Sequence, residues 1–113
     1  MPTIILQLDP KNLRNPNLDI RYVLTEQLIA RSAGALTDDG YDYVSHEGRP
    51  LLLLFLQTND AATALTGVIK FMETEIVLGN GLSNVPVAIE DGEEFRIVHP
   101  PNFSGTFARS GNR

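Results

Sequence analysis

The segment TDDGYDYVSHEG, Thr37 to Gly48, gathers Asp38, Asp39, Asp42, Glu47, His46, Tyr41 and Tyr43 into one short stretch. Carboxylates and an imidazole at that density are the raw material of a cation site or an acid–base pair. A calcium loop of the EF-hand kind takes ligands from positions 1, 3, 5, 7, 9 and 12, with glycine at position 6. Counted from Asp38, Gly40 stands third and Glu47 tenth, so the spacing fails that test. His46 and His99 are the only histidines, and neither belongs to a helical His-x-x-x-His pair of the kind that holds zinc. Cysteine is absent, which removes thiolate metal sites, disulfides and cysteine nucleophiles. Ser45 adjoins His46, but neighbouring side chains on a strand point to opposite faces. No Gly-x-Ser-x-Gly elbow is present. LGNGLSN, Leu78 to Asn84, follows a helical pattern and precedes a strand pattern, the reverse of a phosphate-cradling loop, and reads as a connection. An enzyme would need a carboxylate pair such as Asp39 with Glu90 to meet, and nothing in their sequence positions joins them. No catalytic set, metal or cofactor is expected.

The elements that would position these residues follow from periodicity. TIILQL, Thr3 to Leu8, alternates as a β-branched strand. Asn15-Pro16 has the form of a helix start, and Leu18, Ile20, Val23, Leu24 and Leu28 make a helical stripe, so a helix is expected from about Pro16 to Ser32, with Gly34 as its stop. Asp38-Asp39-Gly40 reads as a turn before a strand over Tyr41 to Ser45, with Tyr41 and Tyr43 on one face and Asp42 and Val44 on the other. LLLLFLQ, Leu51 to Gln57, is apolar on both faces, the mark of a strand buried on both sides. Thr58-Asn59-Asp60 then caps a second helix over Asp60 to Glu75. VPVAIEDGEEFRIV reads as two strands around an acidic turn at Asp91-Gly92.

The length of 113 residues suits one domain, expected over residues 1–100, with 101–113 as a flexible tail rich in Pro, Gly, Ser and Asn. The hydrophobic share of 42% and charged share of 20% are those of a globular chain. No apolar run nears the roughly 20 residues of a membrane helix, and MPTIILQL lacks the basic start of a secretion signal, so a cytoplasmic location is expected. The net charge of −5, from 14 acidic and 9 basic residues, argues against nucleic-acid binding and favours a basic protein partner. Ten of the 14 acids fall between Leu36 and Gly48 or between Glu73 and Glu94, windows without Lys or Arg.

The order β-α-β-β-α-β-β resembles the ferredoxin-like arrangement with an added C-terminal strand, over roughly residues 3 to 98. The resemblance implies an α+β sandwich with two helices on one face of an antiparallel-rich sheet, and nothing about a cofactor. Alternating chain direction would then bring Asp38, Asp39, Asp60, Glu90, Asp91, Glu93 and Glu94 to one end as an acidic rim. His46 and Glu47 would lie at the other. Solvated turn residues are the plain reading of that rim; a landing surface for a basic protein, using Asp38, Asp39, Tyr41, Asp42, Tyr43, Glu90, Asp91, Glu93 and Glu94, is the functional one. For Tyr41 and Tyr43 the favoured expectation is packing under the first helix with their hydroxyls at the rim. The second face of the apolar strand needs a cover: a homodimer, the C-terminal segment with Phe95 and Phe103, or a target protein. The leading expectation is a non-enzymatic protein-binding module of inhibitor or immunity type. The alternative is a dimeric regulatory domain with a small-molecule site at its seam.

Overall fold

The computed structural model describes residues 1–101, 103, 105, 107 and 108. Its chain order is β1 (Thr3–Leu8), a short 3-10 turn (Pro10–Asn12), α1 (Ile20–Arg31), β2 (Thr37–His46), β3 (Arg49–Gln57), α2 (Ala61–Thr74), β4 (Ile76–Val77), β5 (Asn80–Gly81), β6 (Val87–Asp91) and β7 (Glu94–His99). Five strands form one sheet in the order β2-β3-β1-β6-β7, with every neighbouring pair antiparallel, and β4 with β5 forms a separate hairpin. The molecule is thus a single α+β domain. Among the described residues, no helix is long and apolar enough to cross a membrane.

Strand β3 carries buried side chains without interruption from Leu51 to Leu56. Alternation sends Leu52, Leu54 and Leu56 to one face and Leu53 and Phe55 to the other, so both sheet faces must be shielded from water. On the first face, Ile20, Leu24 and Leu28 of α1 and Val68, Phe71 and Met72 of α2 pack with Leu52, Leu54 and Leu56. On the second, Ile5, Leu53, Phe55 and Ala88 pack with Phe107, and Val44, Phe95 and Phe103 join them. The Phe95 and Phe107 rings meet edge to face at 5.5 Å. Gln7 is buried on this same face, and its side-chain Oε1 accepts the Ala108 amide at 2.6 Å. The cover of the second face is therefore the chain's own C-terminal segment. The flexible tail expected over 101–113 falls in large part outside the described residues; within it, Phe107 and Ala108 are buried.

Three local expectations are corrected. The helix expected from Pro16 starts at Ile20, because Asn15 is engaged elsewhere. Its backbone N–H donates to Asn80 Oδ1 at 2.7 Å, its carbonyl accepts Asn80 Nδ2 at 2.8 Å, and its own amide donates to the Leu78 carbonyl at 3.0 Å. Asn17 Oδ1 instead accepts the Asp19 amide, closing a turn just before the helix. Second, Asp38-Asp39-Gly40 is not a turn ahead of a strand but part of β2, which begins at Thr37. The β2–β3 register shifts between Asp38 and Tyr41, a bulge in which Gly40 takes φ +89° and donates its N–H to Asp38 Oδ1. Third, LGNGLSN is more than a connection. Leu78 and Gly79 both have positive φ, as the tight turn of a two-residue hairpin requires, and join β4 to β5.

Asn80 is 1% exposed and pairs with Asn15 as one strand residue pairs with another, clamping the segment before α1 to the β4–β5 hairpin. Replacing it by alanine strands the Asn15 N–H and C=O in partly buried positions. Asn80→Ala is expected to lower unfolding stability by about 1–3 kcal/mol in a denaturant titration. A loss indistinguishable from zero would mean that the clamp does not form.

Candidate functional site

The registers fix where the acidic residues lie. Thr37, Gln57, Thr3, Glu90 and Phe95 are successive cross-strand partners along one row of the sheet. That row marks the end at which β2 and β7 begin and β3 and β6 finish. Asp38 follows it on β2, while Asp91 pairs with Glu94 across the turn that contains Gly92 and Glu93. Asp60, the cap of α2, accepts the Thr63 amide just beyond the end of β3. Asp38, Asp91, Glu93 and Glu94 are exposed; Asp39 and Glu90 are half-buried. The two acidic groups share one end but stand apart, since β2 and β6 are separated by three strand spacings, about 14 Å. Asp42 does not join them. It sits mid-strand opposite Leu53, on the face that bears Val44.

Tyr41 and Tyr43 occupy the other face of β2, opposite Leu54 and Leu52, and so lie on the helix-bearing side. They stand beside α1 rather than beneath it, at 42% and 47% exposure. Tyr22 of α1, 48% exposed, completes a chain of edge-to-face contacts: its ring is 6.0 Å from Tyr41, which is 5.6 Å from Tyr43. The Arg21 guanidinium lies 4.4 Å from the Tyr22 centroid and 5.5 Å from that of Tyr41. Its Nη1 donates to the Leu18 carbonyl at 2.7 Å, which anchors the cation over the rings. Arg21 and Tyr22 were not singled out from the sequence, because both fall off the apolar stripe of α1. A Tyr on that flank, one turn from the start of a helix that packs beside an edge strand, was the available signal.

Hydrogen bonding with Tyr41, and next with Arg21, holds the Tyr22 phenol below its ordinary pKa. The same bond with Tyr22 raises Tyr41, and hydrogen bonding to Tyr22 raises Arg21. The result is a water-facing aromatic surface shared by α1 and the outermost strand of the sheet.

The protein-family models, the curated proteins and the solved structures give no match to this chain. Asp39 and Glu90, the pair that acid–base catalysis would require, are separated by β3 and β1, and Asp39 Oδ2 instead accepts Gln57 Nε2 at 3.4 Å. Among the described residues, no group of three His, Asp or Glu side chains could hold a metal ion. His46 and Glu47 lie at the far end of β2 and line a cleft of about 490 Å³ with Arg49 and Asp9, which form an ion pair with each other. His99 is buried, with Nε2 against the Ser83 carbonyl at 3.0 Å.

The sign of the alkaline behaviour follows from the two phenols. As pH rises, Tyr22 ionises in the folded chain before it does in the unfolded one, so its contribution to stability grows up to the ordinary phenol pKa. Tyr41, with its pKa raised, acts in the opposite sense, and its contribution is lost as pH climbs through its folded value. An ultraviolet titration is expected to show an early component from Tyr22 and a late one from Tyr41, on either side of the ordinary value. Tyr22→Phe should remove the early component and draw the late one back. Tyr22 and Tyr41 titrating together in the folded protein would contradict the pairing.

Proposed function

We propose that this chain is a small, acidic, non-enzymatic module that captures a basic partner protein, in the manner of an inhibitor or immunity-type protein. The observation that carries the reading is the register of the sheet, which sets Asp38, Asp39, Glu90, Asp91, Glu93 and Glu94 at one end. An array of like charge at one end draws a cationic surface from roughly a Debye length away, about 10 Å at 0.1 M salt. Short-range contact would come from Tyr41 and Tyr43, exposed on the edge strand that also carries Asp38, with Asp42 on its reverse face. Tyrosines of this kind combine apolar area with a polar tip and are common energetic centres of interfaces. Tyr22 and Arg21 extend the same surface.

The strand order β2-β3-β1-β6 with both helices on one face supports the ferredoxin-like βαββαβ reading, β7 being the added C-terminal strand. The alternative of a dimeric regulatory domain needs an open second sheet face, and Phe103, Phe107 and Ala108 lie on that face.

Affinity capture from a lysate of the native host, with mass spectrometry, tests the proposal. Basic proteins are expected to be retained at about 0.1 M salt and released at about 1 M, where the Debye length shrinks to about 3 Å. Glu93→Lys/Glu94→Lys and Tyr41→Ala/Tyr43→Ala should each deplete the same proteins at the lower salt. Retention that neither salt nor these variants changes would overturn the proposal.

A further inference from the structure

A groove of about 360 Å³ runs between α1 and α2, on the opposite face of the sheet from the chain's aromatic C-terminal cover. Leu28, Leu36, Val68 and Phe71 form its apolar lining, and Arg31 and Lys70 stand among its polar residues. The volume is within the range of small-molecule sites, and the walls mix buried apolar side chains with polar and charged ones.

Two features single out the groove. The first is Gly67, which lines it from the interior of the 14-residue α2. Glycine is the poorest helix former after proline, and its backbone angles here are not of the kind that demand it. A Cβ built at Gly67 meets no atom within 4 Å, so no packing within the chain excludes a side chain there. The glycine opens the groove at the cost of helix propensity. The second feature is charge. In a chain of net charge −5, the groove holds two cations, Arg31 and Lys70, against one carboxylate, Glu75. Arg31 donates to Glu75 at 2.9 Å and lies 5.1 Å from the Phe71 centroid. Lys70 makes no ion pair among the described residues.

We infer that the groove between α1 and α2 binds a small amphipathic organic anion, its apolar body along Ala35 and Gly67 over a floor made by Val68 and Phe71 and its carboxylate against Lys70. The anion is favoured over a neutral ligand by the excess positive charge of the groove. The inference uses none of the residues of the proposed protein-binding surface, and each can fail without the other.

Decanoate, and decanol as its neutral counterpart, serve as probes in an amide chemical-shift titration of the full chain. Decanoate is expected to give saturable shifts confined to residues 28–36 and 63–75. Gly67→Leu, which fills the groove, should abolish them, while Gly67→Ala should retain them. Lys70→Gln should weaken decanoate by about ten-fold, the effect of losing one charge-assisted contact, and leave decanol unchanged. Circular dichroism establishes that Gly67→Leu is folded; should it not be, the decanoate-to-decanol ratio of Lys70→Gln decides alone. Unsaturable or scattered shifts, equal weakening of both probes by Lys70→Gln, or shifts at these residues on concentrating the protein without ligand would overturn the inference, the last in favour of a second copy.

Discussion

The architecture depends on one strand that is apolar on both sides. Leu51 to Leu56 are all buried, and such a strand cannot lie at a sheet surface without a layer on each face. Truncating a buried leucine of this kind costs about 2–5 kcal/mol, so the covers of β3 decide whether the domain holds together. The two helices supply the first cover through stripes spaced at three and four residues. The second is thinner, an aromatic segment of Phe103, Phe107 and Ala108, located by a buried glutamine on β1 that accepts a backbone N–H. A polar side chain within an apolar face is costly unless bonded, and Gln7 meets that condition with the segment it holds.

The same topology explains why the polar chemistry is segregated. An antiparallel sheet returns the chain to the same end after every second strand, and acidic residues at the start of β2 and around the β6–β7 turn therefore gather there without touching. The exposed edge of β2 is guarded by devices that discourage indiscriminate pairing: a bulge at Asp39-Gly40 and acidic side chains at Asp38 and Asp42. The tyrosine row lies beside that guarded edge. Acidic residues and the tyrosine row are thus adjacent, and β2 carries members of both.

Much of this was legible in the sequence, for physical reasons that can be named. β1, β3, α2 and the β6–β7 hairpin follow patterns of period two or near three and a half, and their bounds fall within a residue or two of those expected. The failures share a cause in long-range partners and in unusual turns. Asn15 has the form of a helix start, but its bonds go to Asn80 and Leu78, far along the chain. The Leu78-Gly79 and Glu47-Gly48 turns place both residues at positive φ although their first positions lack the Asn or Asp that usually signals such a hairpin. The site was legible in part. The shared face of Tyr41 and Tyr43 followed from alternation, whereas their exposure and their contact with Tyr22 depend on how α1 sits beside β2, which no local pattern encodes.

Closure of the second face by the chain's own end is the claim on which the rest stands, because it makes β3 a core strand within a single copy. Native-state amide hydrogen exchange at Ala108 tests it most directly. The account predicts strong protection of that amide, lost in Gln7→Ala while the amides of β1 and β3 remain protected, because its acceptor is a buried side chain rather than water. Exchange of the Ala108 amide at the rate of an unstructured peptide in the intact protein would contradict it.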